Sequence, residues 1–496
     1  MQVLDPICEA KFHERSNGFR PNRSAENAIA QCYKMIQQSQ LHYVVDIDIK
    51  GFFDNVNHSK LIKQMWTLGI RDKQLISIIK QMLKAPITLP NGEIIYPDKG
   101  TPQGGILSPL LSNIVLNELD WWISSQWETI PTQKEYKVVV KPNGTESRTI
   151  AHRQLRKTTK LKEMYIVRYA DDFKIFCRYR SDANKIFIAV KQWLSERLKL
   201  QISEEKSKVI NLKKNYSEFL GFKLKAVKKS KKYAVRCHMS DDAVKRETQK
   251  LIKQVKIIQR PADYKEEYKS ISRYNSMVIG IHNYYQIATN INLDCSKIGR
   301  QITTITENRL WQRMKKTSNE QEAIRNKYIM KKYGKSKQMR FVNNIPFVPI
   351  AYIQTRNPMY KKRSVNKYTP SGREEIHKSL GVNLTILHKL MNNPVIGKTI
   401  KYADNRISLY SAQNGKCAIT GIVLNFEDIH CHHKIPLKLK GTDRYDNLVI
   451  VHQKVHKLIH TNNADKIRQY LEELKLTQPM LNKLNKLRLL AETTVI

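Results

Sequence analysis

Two acidic clusters stand where carboxylates could do chemistry. Tyr169-Ala170-Asp171-Asp172 follows Tyr165-Ile166-Val167-Arg168, and upstream Asp48-Ile49-Lys50-Gly51-Phe52-Phe53 follows the apolar run Tyr43-Val44-Val45. Each has the form of a β-strand ending in carboxylates. On adjacent strands, Asp48, Asp171 and Asp172 would make a site for two Mg²⁺ ions. Mg²⁺ favours oxygen ligands, typically a few carboxylates plus substrate phosphates. Two such ions about 4 Å apart activate a hydroxyl and stabilise a leaving pyrophosphate in an in-line displacement. Asp-Asp after a strand is by itself usually a turn, because Asp is favoured there. Here the pair has companions in order along the chain.

A second set of candidate groups lies near the C-terminus. His430-Cys431-His432-His433 is followed by Asn447, then by His456 and His460. The last two are four apart and share one helix face. Imidazole suits metal ligation and general-base work near neutral pH; the plainer reading is basic surface or a structural metal site. Gly415-Lys416-Cys417-Ala418-Ile419-Thr420-Gly421 carries Thr420 where a zinc knuckle would have its second cysteine. Two complete CxxC pairs are absent, so a Cys₄ zinc site is not expected.

The elements that must position these groups are partly legible. Gly100-Thr101-Pro102-Gln103-Gly104-Gly105 precedes an apolar stretch from Leu107 to Leu119. Glycines let a backbone approach a ligand closely, which sets Gln103 and Gly104 against a template strand or new base pair. The plainer reading is a loop entering a helix, with Ser108 as N-cap and Pro109 in the first turn. Lys206 could neutralise triphosphate charge or be solvated surface. Lys223 to Lys232 reads as a basic hairpin. Val244, Thr248, Leu251, Ile252, Val255 and Ile258 recur at helical spacing, and Pro261 ends that helix. Further helices are expected over Tyr264 to Ala288 and from Ile298 to Trp311. Basic clusters stand at Lys331–Lys337 and Lys361–Arg363, and Asn344 to Pro349 with Asn357-Pro358 suggests irregular, turn-rich chain. Leu471 to Leu490 reads as one amphipathic tail helix.

Composition narrows the class of partner. The 496 residues carry 87 Lys+Arg against 44 Asp+Glu, a formal net charge of +43 spread along the chain. That predicts a large polyanionic partner with strongly salt-dependent binding. The 23 tyrosines offer stacking surfaces for unpaired bases. No apolar run of about 18 residues and no signal-peptide pattern is present, so no membrane partner is expected. Seven mostly isolated cysteines fit a reducing compartment. The abundance of Ile, Lys and Asn hints at an AT-rich genome, in an organelle (plastid or mitochondrion) or a bacterial cytoplasm, and the protein is not expected to be secreted.

At its palm-like motifs the chain resembles reverse transcriptases, and specifically the proteins encoded by mobile group II introns. The resemblance rests on an ordered series over residues 1–225. It comprises Gly18-Phe19-Arg20-Pro21-Asn22-Arg23-Ser24, Asp48 to Asp54, Gly100 to Gly105 with Ser108 to Asn113, Tyr169 to Asp172, Glu205 to Lys208, and Phe219 to Phe222. It implies RNA-directed DNA polymerase and maturase roles, with Asp48, Asp171 and Asp172 holding two Mg²⁺. It makes Phe53 a gate against a 2′-hydroxyl; the plainer reading of Phe53 is a core aromatic. Residues 226–320 resemble the thumb or maturase domain. In the family a DNA-binding segment follows, here residues 321–400. The spacing from His433 to Asn447, His456 and His460 resembles HNH nucleases with the ββα-metal fold. By that resemblance His433 is the general base and Asn447 holds its imidazole or its loop. His432, His456 and His460 are then ligands of one divalent metal, Mg²⁺ or Zn²⁺.

The expected architecture is therefore α+β and multidomain. A right-hand palm with partial fingers (1–225) leads into a helical thumb (226–320), a basic segment (321–400) and an HNH domain (401–496). Family members usually carry further finger segments before the block that here starts near Val3. Expected partners are intron RNA, target DNA and deoxynucleoside triphosphates, with a homodimer left open. Two rival readings remain: a non-catalytic RNA-binding maturase scaffold, and a homing endonuclease in which only the HNH domain acts.

Overall fold

The computed structural model describes residues 3–102, 104–140, 146–317, 326–360, 365–377 and 383–496. Gln103 lies outside the described residues. The chain divides into two compact units, Met1–Lys362 and Arg363–Ile496.

The first unit is built on a four-stranded antiparallel sheet of β1 (Tyr43–Ile47), β2 (Met164–Tyr169), β3 (Asp172–Cys177) and β4 (Lys208–Asn211), in the order β2-β3-β1-β4. Strands β2 and β3 are buried on both faces. Ile166, Val167, Phe173 and Ile175 have no exposed surface, so the usual in–out alternation of polarity is lost. The polar residues that interrupt the sheet, Asp46, Arg168 and Lys174, must therefore find partners inside the fold. Helix α1 (Ser108–Ser125) packs on this sheet and buries residues on nearly every side. Ser108 is its first residue rather than its cap; the hydroxyl instead donates to Pro102 O at 2.6 Å. Helical backbone at Leu107 already precedes it, so the cap position passes upstream of Ser108.

A second sheet, β5 (Ser217–Phe219), β6 (Phe222–Lys229) and β7 (Lys232–Met239), leads into three helices. These are α2 (Asp241–Gln259), α3 (Tyr264–Tyr285) and α4 (Ile291–Leu310). Ser240 and Asp263 cap α2 and α3 through their side chains. Residues 340–347, which include the start of the stretch from Asn344 to Pro349 expected as irregular chain, form a hairpin of β9 (Arg340–Val342) and β10 (Ile345–Phe347), joined on one edge by β8 (Met314–Lys315). Asn343 and Asn344 have φ of 47° and 68°, the left-handed pair of a two-residue hairpin turn. The Phe347 ring stacks on Tyr274 of α3 at 4.0 Å. The strands are too short for alternation to register in sequence, and the Asn pair reads equally well as loop.

The second unit has its own core. An antiparallel pair, β11 (Ile429–His433) and β12 (Leu448–His452), is followed at once by α6 (Gln453–His460), with α5 (Ile400–Ala412) against the strands. The expected single tail helix is two, α7 (Ala464–Leu474) and α8 (Gln478–Leu490). Lys475 turns left-handed at φ 45° and Pro479 opens the second helix, so Leu471 to Leu490 cannot run as one rod. All seven cysteines are buried and free. Among the described residues no helix is long and apolar enough to cross a membrane.

Candidate functional site

The hairpin of β2 and β3 carries one acidic cluster at its tip. Tyr169 pairs with Asp172 across a two-residue turn, and Ala170 sits at φ 57°. Asp48 follows the end of β1, the strand next to β3. Its side chain is 48% exposed, and that of Asp172 is 44% exposed. Burial pushes the Asp172 carboxyl up to about 6; the Lys174 ammonium pulls it back, and Asp46, Asp171 and Asp48 add to the rise. The three carboxylates thus feel one another across the strand ends. Half-exposed oxygen donors that leave room for water suit a hard ion such as Mg²⁺. When bound, such an ion supplies charge stabilisation for phosphoryl transfer.

Surrounding loops are pinned to this cluster. Asp48 N–H donates to Ser207 Oγ (3.1 Å), its carbonyl accepts from Ser203 N–H (2.8 Å), and Lys206 Nζ lies 3.8 Å from its carboxylate. The segment after Gly100 docks on the first motif: Gly100 N–H donates to Val56 O and Thr101 N–H to Phe53 O, both at 2.7 Å. Gly100 has φ 90°, and a Cβ there would meet Asp54 O at 3.0 Å, so a close approach and a left-handed backbone coincide. Phe53 is half-buried against Phe52, with ring centroids 5.4 Å apart. Gly104 is exposed at φ 79°, with nothing near its missing Cβ. Farther out, Tyr284 is 43% exposed and donates to Leu220 O (3.0 Å), whereas Tyr285 is buried against Phe222.

A buried network that the sequence reading missed holds the turn itself. Arg168 and Asp120 are both fully buried and joined at 2.6–3.0 Å. The remaining guanidinium nitrogen donates to Asn113 Oδ1 (3.0 Å) and to Ala170 O (2.8 Å), inside the turn. The segment 15–18 runs alongside: Asn17 N–H donates to Arg168 O (2.9 Å), and Asn113 Nδ2 donates to Gly18 O (2.8 Å).

In the second unit, period-two alternation sends His430 and His432 to one face of β11. There they meet His456 and His460 on α6. Among the described residues, the group of three or more candidate ligands with donor atoms all within 4.8 Å is His432, His456 and His460; Asp48, Asp171 and Asp172 form no such group. His432 is 2% exposed, and its Nε2 has no hydrogen-bond partner. Such an orphaned buried nitrogen fits a metal ligand. Burial lowers His432 and His456 to about 3 and lowers His460, with the other imidazoles adding to the effect on the first two. Burial thus disfavours the charged form of all three, and a metal ligates the neutral one. Arg488, fully buried on α8, donates to Leu458 O and to Thr461 O (3.0 Å) and so caps the C-terminus of α6.

His433 points elsewhere. Its Nε2 meets Asp443 Oδ1 at 2.7 Å, and its ring stacks on Tyr402 at 5.4 Å. Asn447 therefore does not hold the imidazole: its amide bonds Ile435 N–H, Ile435 O and Thr442 O, closing the loop from 434 to 447. Asp443 was missed, because in the sequence it reads only as a loop aspartate. Cys417 Sγ accepts from His452 N–H at 3.3 Å.

Residues 1–224 match the family model described as reverse transcriptase (RNA-dependent DNA polymerase). A group II intron-encoded protein, LtrA of Lactococcus lactis subsp. cremoris, is 30% identical over 339 residues, covering 58% of this chain and 56% of that protein. Nuclear intron maturase 2, mitochondrial, of Arabidopsis thaliana is 25% identical over 25% of this chain and 22% of its own length. The apo telomerase structure from Candida Tropicalis aligns with a TM-score of 0.37 and 12% identity, over 62% of this chain and 49% of that one. The chain spans little more than half the length of the bacterial relative. Over residues 1–224 this chain is thus similar to reverse transcriptases, and over a longer stretch to an intron-encoded protein.

Proposed function

We propose that this protein is a group II intron-encoded reverse transcriptase and maturase whose second unit is an HNH-type DNA endonuclease. The observation that supports the reading is that Asp48, Asp171 and Asp172 stand at or just past the ends of neighbouring strands, within the residues that match the reverse-transcriptase model. Asp48, Asp171 and Asp172 would hold two Mg²⁺, and Lys206 would offset triphosphate charge. The half-buried Phe53 would crowd a 2′-hydroxyl, and the exposed Gly104 would let a template strand approach the backbone. The net charge of +43 suits intron RNA and target DNA as partners.

For the second unit, His432, His456 and His460 would hold one divalent ion. His433 would take the proton from an attacking water, with Asp443 and Tyr402 fixing its ring. Loss of a positioned general base costs about 10²–10⁴-fold, so His433→Ala is expected to lower nicking of duplex DNA by that factor while RNA binding is kept. Metal binding has its own readout. At about 100 times its dissociation constant an ion adds about 2.7 kcal/mol to the state that binds it. Zn²⁺ or Mg²⁺ should therefore raise a thermal unfolding transition of the full chain, and His456→Ala should remove that rise.

Primer extension on an RNA template tests the polymerase reading. Wild type should extend a DNA primer with deoxynucleotides, and both a chelator and Asp171→Ala should stop it. Tight RNA binding without any extension would instead favour the non-catalytic scaffold.

A further inference from the structure

The palm contains a buried cation that no catalytic role above uses. Lys174 on β3 is 4% exposed. Its Nζ lies 2.5 Å from Asp46 Oδ1 and 3.8 Å from Asp172 Oδ1, and it faces the buried Phe219 ring at 5.5 Å. Cys32 also lies within electrostatic reach of it. Asp46 pairs in register with Lys174, and each is two residues from a candidate metal ligand, Asp48 and Asp172. Period-two geometry sets Asp46, Lys174 and Asp172 on one face of the sheet, with Asp48 just past the end of β1.

Stability alone does not account for such a pair. A buried ion pair is often no more stabilising than apolar residues of the same volume, and most of the buried residues of this sheet are apolar. Its location does account for it. The Asp46 carboxylate anchors the ammonium, and the anchored ammonium stands within Coulombic reach of one oxygen of Asp172. Side chains behind metal ligands orient them, and their loss typically weakens metal binding about 10–100-fold.

We propose that Lys174, anchored by Asp46, is a positioning residue that orients the Asp172 carboxylate for divalent metal. The inference rests on the polymerase reading of the palm.

The test compares wild type, Asp46→Val/Lys174→Met and Lys174→Arg. The double variant removes both charges together and leaves no unpaired buried ion. Mn²⁺ binding is read from loss of the free-ion paramagnetic resonance signal, with the palm fraction defined as that lost in Asp171→Ala. The Mg²⁺ concentration for half-maximal primer extension and the unfolding midpoint are measured alongside. Expected for the double variant is a Mn²⁺ dissociation constant and a Mg²⁺ requirement both raised about tenfold, with an unfolding midpoint near wild type. Lys174→Arg should recover part of the binding. A double variant with wild-type Mn²⁺ affinity overturns the proposal, as does a wild-type palm that binds no Mn²⁺. Wild type that binds Mn²⁺ but extends no primer sinks the polymerase reading instead, and the Mn²⁺ comparison still decides the role of Lys174.

Discussion

Asp120→Ala should lower the stability of the first unit by about 3–5 kcal/mol, because it leaves the Arg168 cation fully buried without its counter-charge. Typical domains hold only about 5–15 kcal/mol in total, so the denaturant midpoint should fall sharply. The companion variant Asp120→Ala/Arg168→Met separates folding from chemistry. Removing both charges restores an apolar interior, and the midpoint should return toward wild type. Primer extension should stay low, because the bond from Arg168 to Ala170 O is gone and the turn carrying Asp171 is released. If the double variant extends primers at the wild-type rate, the network serves only folding.

Gly18→Ala should lower primer extension by about 10²-fold or more with little change in RNA affinity. A Cβ on Gly18 would lie 2.2 Å from Ala170 N and 2.8 Å from Tyr169 C, both backbone atoms that no rotamer change can move. The segment cannot simply lift away, since Asn17 bonds Arg168 O and Asn113 bonds Gly18 O. The turn must shift by about 1 Å, and a displacement of that size at a reacting centre can cost 10²-fold. Rates at saturating Mg²⁺, set beside equilibrium RNA binding, check this. Equal loss of both would mean that the domain has unfolded rather than that the turn has moved.

The strand ends bearing Asp48, Asp171 and Asp172 were legible because strand periodicity and turn chemistry are local. The helices α2, α3 and α4 were legible for the same reason, through apolar spacing and the stop at Pro261. The grouping of His456 with His460 follows from one helical turn, and alternation along β11 sends His432 to the face they meet. Short elements were harder. The hairpin around Asn343-Asn344 and the break at Lys475 depend on one or two left-handed residues, which turn-forming sequences also allow in loops.

What the tertiary structure alone decided is which ordinary residues stand behind the conspicuous ones. Arg168 and Asp120 are 48 positions apart, and Lys174 and Asp46 are 128 apart. None carries a local pattern, since a charge inside a strand says only that some partner is needed, not which. Gly18 reads as one glycine in a motif until the fold lays it against Ala170. Asp443 reads as a loop aspartate until the strand pair brings His433 to it. Chemistry that depends on residue type and short spacing is written along the chain, whereas the desolvated charges and backbone contacts that orient it exist only once distant segments pack.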